Sequence, residues 1–389
     1  MILVVNCGSS SLKFALFDNK LNEVVKGIFE RIGVSNSFSE FKINGNDDKY
    51  EQDYKTHKDA LIFLFEKFKM YNINVDDIEI IGHRIVHGGN NSNNLLVDDV
   101  VLKQMELVNE LAPLHNPVQM SVVNACIELF PNIKNSLSFD TAFHHSLPDY
   151  AYTYGLPVEL AEKYLIRRYG FHGLSHEYIL EEYAKTANKN ESELNLITCH
   201  LGSGCSVCAI KNGKSVDNSM GFTPLEGLLM GTRVGDLDAS VPLFIARKEN
   251  LTLDQVDNLL NKKSGLVGMT GMTNIDMREV LYLADYPVSN FDGSYLNEKY
   301  NFDELTLLKK RCKLAVDVFV YRVKKYIGSY YAILGRVDAI IFTAGIGERS
   351  EIIRSLIMKD LPFTDNVNIE VIKTNEEKMI AEEALKFIK

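Results

Sequence analysis

Two short apolar stretches, residues 2–6 and 12–17, flank the small polar turn CGSSS and predict a β-hairpin. Residues 196–201 and 205–210 repeat the plan around GSG. With Gly8 laid over Gly202, Asn6 falls over His200 and Ser9 over Ser203. Two such hairpins, each followed by mixed strand and helix signals, predict two related α/β domains facing each other across a cleft, with a boundary near residue 145. Helical spacing marks residues 54–71 and 98–112. A long helix is predicted from Asp303 to Leu334, where Leu307, Leu308, Leu314, Ala315, Val318, Val323 and Ile327 recur at helical steps and Gly335 can end it. VDAIIFTAGIGERS then reads as a buried strand, a Gly-rich turn and a helix start. The closing TNEEKMIAEEALKFIK reads as an amphipathic helix with Thr374 and Glu377 as a capping box. Residues 284–302 read as an exposed loop.

Bulk properties narrow the class. A chain of 389 residues, 46% of them apolar, buries a full core and suggests two domains. No apolar run reaches the ~18 residues of a membrane span, and Met1 leads straight into ILVV with no basic leader, so a cytoplasmic, unprocessed protein is expected. A net charge of −10 disfavours nucleic acid and anionic membranes as partners. It leaves room for an anionic small substrate, because local arginines can dominate a pocket. The six cysteines read as reduced thiols, and Cys205 and Cys208, set among apolar strand residues, as small hydrophobes rather than a zinc site.

Turns of Gly, Ser and Thr between strands expose backbone N–H groups suited to phosphate. The chain has three candidates, CGSSS, LGSGC and AGIGE, none followed by the Lys-Ser/Thr of a Walker loop. The histidine pair 172/176 is interrupted by Gly and the pair 83/87 is bracketed by Gly82 and Gly88, against helical zinc geometry. Arg84 in GHRIVHGG and Arg233 in LEGLLMGTRVGDLD are bracketed by glycines in apolar surroundings, where a guanidinium needs an anion. Asp140 or Asp236 would serve as structural partners; a substrate carboxylate or a transferring phosphoryl group would serve equally.

Taken together, N-x-G-S-S-S-x-K from Asn6 to Lys13, GHRIVHGG, LAPLHNP, FDTAFH, RYGFHGLSH and MGFTPLEGLLMGTRVGDLD strongly resemble the acetokinase family, over nearly the whole chain. The resemblance implies a duplicated actin-like, sugar-kinase-like ATPase fold: an N-terminal domain over 1–145 on which a helix at about 375–389 packs back, and a nucleotide-binding domain over 146–374. It implies reversible, Mg²⁺-dependent phosphoryl transfer from ATP to acetate, giving ADP and acetyl phosphate by direct in-line transfer. Mn²⁺ is a possible substitute, and a homodimer is expected. By the same resemblance Asn6 and Glu376 hold the metal. Ser9, Ser11, Lys13, His200, Leu201, Gly202, Ser203, Gly204, Asp276, Met277, Arg278, Gly345, Ile346, Gly347, Glu348 and Arg349 form the nucleotide site. Arg84 contacts the acetate carboxylate, and Val86, Leu114, Phe171 and Pro224 line the methyl pocket. Asp140 is the essential acid, with His172 and Arg233 as transition-state stabilisers. Acetate needs no deprotonation at neutral pH, so positioning and charge neutralisation carry the chemistry, and Asp140 orients Arg84 or Arg233 or organises metal-bound water. Ser203 and Arg349 stand where the family has Asn, which leaves nucleotide preference open. The alternatives are a propionate or butyrate kinase of the same family and, remotely, an actin-like or chaperone-like ATPase module; Asn6, where such modules carry Asp, speaks against the latter.

Overall fold

The structure is a computed structural model that describes residues 1–43, 45–273, 275–364 and 367–388; Lys389, included in the predicted last helix, lies outside them. The chain divides into two compact units, Met1–His145 with Gly173–Tyr178 and Asn375–Lys389, and Ser146–His172 with Ile179–Thr374.

In the first unit, strands β1 (Ile2–Cys7), β2 (Ser11–Phe17), β3 (Glu23–Glu30), β4 (Phe38–Ile43), β5 (Asn46–Glu51), β6 (Ile80–Ile85), β7 (Leu95–Leu96) and β8 (Lys134–Phe139) form one sheet. Its order is β5-β4-β3-β2-β1-β6-β8-β7, with β1, β6 and β8 parallel. In the second unit, β9 (Asn195–Leu201), β10 (Cys205–Lys211), β11 (Lys214–Asn218), β12 (Ala339–Thr343) and β13 (Asn368–Val371) are ordered β11-β10-β9-β12-β13, with β9, β12 and β13 parallel. The stretch β3-β2-β1-β6-β8 therefore repeats as β11-β10-β9-β12-β13. An antiparallel hairpin supplies the first parallel strand in both halves. This is the duplication that the hairpin likeness predicts, and it gives the α/β fold its two matching sheets.

Alternation along the hairpin strands divides their side chains between two faces. Leu3, Val5, Phe14 and Leu16 point to one side, where Leu61, Leu64, Phe65 and Phe68 of the helix His57–Met70 cover them. The opposite side of β1 and β6 receives the last helix, Glu376–Leu385. Gly82 permits that contact: a Cβ there would lie 2.8 Å from Ile380 Cγ2. In the second unit the predicted long helix runs Phe302–Leu334, opens on an Asn301 capping box and closes at Gly335, which has φ +72°.

Three expectations need correction. The last helix is capped by Asn375, whose side chain accepts from the Lys378 amide, so Thr374 and Glu377 do not form a capping box. The Thr374 amide is instead bonded to Glu348 Oε1 at 3.2 Å. AGIGE is not a turn: Ala344–Arg349 is helical directly after β12, and the Glu348 carboxylate accepts the Ala344 amide at 3.0 Å. Residues 284–302 contain a short helix, Ser294–Lys299, anchored by buried Leu296.

Candidate functional site

In an open parallel sheet, ligands collect beyond the carboxyl ends of the strands. At that end of the first sheet, Asn6 on β1 and Arg84 on β6 project on the face shared with Gly82, and Asp140 follows β8 directly. Arg84 donates to both oxygens of Asp140, from Nε at 3.0 Å and Nη2 at 2.7 Å. Its Nη1 lies 3.4 Å from Asn6 Oδ1 and 3.4 Å from Glu376 Oε2, and Glu377 Oε1 accepts from Asn6 Nδ2 at 3.4 Å. The packing of the last helix on Gly82 is what brings Glu376 and Glu377 here. Burial alone would lower the Arg84 pKa, but the charges of Asp140, Glu376 and Glu377 outweigh it and drive it up, so the guanidinium is permanently charged. Burial, with the nearby Glu376 charge, holds the Asp140 carboxyl above its ordinary range, while the two-point pairing with Arg84 opposes that rise. Of the two structural partners weighed for the arginines, Asp140 takes Arg84. Asp236 accepts from Tyr326 Oη at 3.1 and 3.0 Å and from the Gly227 amide at 2.9 Å.

Lys13 pairs in register with Asn6 across the hairpin, which places both side chains on one face, with Lys13 exposed. The CGSSS turn closes on a Gly8 amide to Ser11 carbonyl bond of 2.8 Å and leaves Ser9 exposed. Val86 is buried, whereas Leu114 is 40% exposed. Nearby, burial lowers the His83 and His87 imidazoles to about 4 and about 3. Both are neutral at physiological pH and belong to the packing; His83 Nε2 lies 2.8 Å from Asn135 Oδ1.

The second sheet presents the second cluster. His172 caps the helix Gly173–Ala187 in a left-handed conformation, φ +57°, which is strained for a residue with a side chain. Its ring stacks on His200 at 4.1 Å between centroids, and its Nδ1 lies 2.9 Å from the hydroxyl of Ser206, the cross-strand neighbour of His200. A Cβ built on Gly204 would sit 3.4 Å from His172 Nε2 and 3.5 Å from Arg233 Nη1. The imidazole edge and the guanidinium thus converge on one point over the LGSGC turn, each within ordinary contact distance of that position. The Gly231 amide donates to the Ser203 carbonyl at 3.1 Å and fastens that turn to the Arg233 loop.

The other nucleotide-site candidates are less uniform. Gly202, Ser203 and Gly204 form the turn itself, with Ser203 exposed; Leu201 is fully buried. Gly347 packs against Leu201 and the Cys199 carbonyl, while the Gly345 backbone faces open space. Ile346 is half-buried and Arg349 exposed. Glu348 braces the backbone at Ala344 and Thr374. Asp276 caps the helix Met277–Leu283 and binds Arg278 Nη2 at 2.6 Å, and Met277 is buried. Phe171 is buried, and the Pro224 carbonyl accepts from Arg233 Nη1 at 3.4 Å.

Sequence reasoning missed several supporting residues. Asn116 and Gln119 sit buried one turn apart on the helix Asn116–Leu129. The Asn116 amide group bonds both the N–H and the carbonyl of His87, at 3.1 and 2.9 Å. Gln119 joins the Val86 amide, at 2.9 Å, to the Cys7 carbonyl, at 3.2 Å. Their signal was two carboxamides on an otherwise apolar helix face. The ring of His57 lies 3.0 Å from the Gly8 carbonyl and steadies the CGSSS turn. Glu377 was read only as a helix cap.

A duplicated α/β fold with a glycine-rich turn at the carboxyl ends of the parallel strands in each half defines the class. The chain belongs to the acetokinase family, whose sequence pattern matches residues 1–291 and 294–365. It is 43% identical to the acetate kinase of Thermoanaerobacter pseudethanolicus over all of this chain and 99% of that one. It is 44% identical to that of Halothermothrix orenii, again over all of this chain and 99% of the relative. Among solved structures, Porphyromonas gingivalis acetate kinase superposes with a TM-score of 0.86 at 34% identity, covering 100% and 99% of the two chains. A propionate kinase from Francisella tularensis superposes at 0.88 with 37% identity, covering 99% of each.

Proposed function

We propose that this protein is a kinase that transfers the γ-phosphoryl group of ATP to acetate, forming acetyl phosphate and ADP, and that it runs reversibly. The observation that carries the reading is Arg84: a permanently charged guanidinium at the carboxyl ends of β1 and β6, held rigid by the two bonds it donates to Asp140. That arrangement suits a carboxylate that must be oriented and needs no deprotonation. Asn6 and Glu376 are the residues that would hold a divalent cation. Their oxygens lie within 3.4 Å of the same Arg84 nitrogen, and an amide with a carboxylate is a hard-oxygen donor set. Asp140, Glu376 and Glu377 set three acidic side chains against one guanidinium, an imbalance that a divalent ion corrects. Mg²⁺ fits the family's use of ATP, and the ion supplies neutralising charge on the phosphate oxygens. In the second unit the LGSGC turn is assigned to the nucleotide phosphates, and His172 Nε2 with Arg233 to the oxygens of the phosphoryl group in flight.

The test traps acyl phosphate with hydroxylamine in ATP-dependent assays on acetate, propionate and butyrate. Hydroxamate should form fastest with acetate; none from any acid would overturn the reading. A propionate kinase is the second possibility, favoured by the likeness to the Francisella tularensis enzyme, and a wild type that prefers propionate would establish it. Val86 supplies the finer discrimination. An added methylene gains ~0.8 kcal/mol by burial but costs ~1–3 kcal/mol when forced into a packed wall. Val86→Ala should therefore raise kcat/KM for propionate relative to acetate, and an unchanged ratio removes Val86 from the acyl site.

A further inference from the structure

The second unit contains a polar cluster that the chemistry above does not use. Glu226 lies in the loop between β11 and Arg233. One of its carboxylate oxygens accepts from the Tyr154 hydroxyl at 2.5 Å, and the other from Arg168 Nη2 at 2.5 Å. Tyr154 Oη in turn accepts the Phe222 amide at 2.9 Å. Arg168 Nη1 donates to the carbonyls of Asn218 and Met220 at 2.8 and 2.9 Å. Burial and the Glu226 charge raise the Tyr154 phenol above its ordinary range, so it remains a donor. Gly221 is the residue that lets the carboxylate in: a Cβ there would lie 1.7 Å from Glu226 Oε2 and 2.2 Å from Tyr154 Oη.

These bonds join two stretches of chain. One is 168–172, which ends in His172; the Tyr169 and Gly170 amides donate to the Gly221 carbonyl at 3.0 and 3.3 Å, and the Phe171 carbonyl accepts from Asn218 Nδ2 at 3.1 Å. The other is 218–226, whose Pro224 carbonyl receives Arg233 Nη1. Beside Glu226, Gly227 and Asp236 exchange two bonds of 2.9 Å, one to the Asp236 side chain and one from its backbone amide, and so fix both ends of the loop that carries Arg233.

We propose that Glu226, gripped by Tyr154 and Arg168, is a positioning residue that sets the spacing between the His172 imidazole and the Arg233 guanidinium. The proposal rests on the reading that those two groups act on the phosphoryl group. Its effect belongs in turnover, because a misplacement of about 1 Å can cost roughly a hundredfold in rate.

Glu226→Gln keeps the shape but replaces one acceptor oxygen with an N–H donor. Turnover should fall by roughly ten- to thirtyfold, with KM for ATP and acetate within about threefold and little change in melting temperature. Tyr154→Phe, which removes one of the two grips, should show the same signature at roughly threefold, and it carries the test should the Gln variant fold poorly. The deciding measurement is the double variant. If Glu226 works through Arg233, adding Glu226→Gln to Arg233→Ala lowers kcat by no more than about twofold further. Losses that multiply in the double variant, or full turnover in both Glu226→Gln and Tyr154→Phe while Arg233→Ala is impaired, overturn the clamp. Full turnover in Arg233→Ala itself overturns the phosphoryl-contact reading and the clamp with it.

Discussion

Asp140→Ala is expected to abolish measurable acyl phosphate formation and to lower stability by about 3 kcal/mol. Removing one partner of a buried ion pair costs roughly 3–5 kcal/mol, and Glu376 and Glu377 near Arg84 hold the loss to the lower end of that range. The activity loss has a different origin. Without the two-point grip the guanidinium is free to swing toward Glu376, and the acetate carboxylate loses its oriented partner. Asp140→Asn separates the two effects, because it preserves volume and one acceptor oxygen while presenting an amide to a guanidinium that cannot deprotonate. It should fold more stably than the Ala variant, with kcat/KM reduced about a hundredfold or more by loss of roughly 3 kcal/mol of oriented contact. Thermal melts and hydroxamate assays on both variants check this, and an Asn variant within threefold of wild type would remove Asp140 from the site.

For Arg233→Ala the loss should fall on turnover rather than on acetate binding. The guanidinium meets charge that develops during transfer, and a charge-assisted contact of ~1.5–3 kcal/mol corresponds to a ten- to hundredfold drop in kcat. KM for acetate should stay within about threefold. Preserved kcat with a raised acetate KM would reassign Arg233 to ground-state binding.

The hairpins were legible because each is local: strand, turn and strand occupy under twenty residues and the alternation writes itself into the sequence. The parallel neighbours β6 and β8 were not, since nothing in the alternation of Ile80–Ile85 says that it lies beside Ile2–Val5. The same blindness explains the misread last helix. Thr-x-x-Glu and Asn-x-x-Lys lie one residue apart there, and the choice between them turns on the Thr374 amide being held by Glu348. At the candidate site the residue types around Arg84 came from family motifs and not from spacing. Asn6 and Glu377 touch although they are 371 positions apart. Gln119 and Asn116 escaped because they bond mostly to backbone, and a backbone partner leaves no pattern in the sequence; Glu226 escaped because its side-chain partners, Tyr154 and Arg168, lie 72 and 58 positions away.

All six cysteines are buried, Cys7 and Cys126 in the first unit and Cys199, Cys205, Cys208 and Cys312 in the second. Burial raises each thiol, those of Cys7, Cys126, Cys205 and Cys312 to about 12, so almost no thiolate exists at neutral pH. Alkylation must wait for the surrounding sheet or helix to open. The chain therefore carries its own clock for local unfolding, and mass spectrometry of labelled peptides reads it separately for each half.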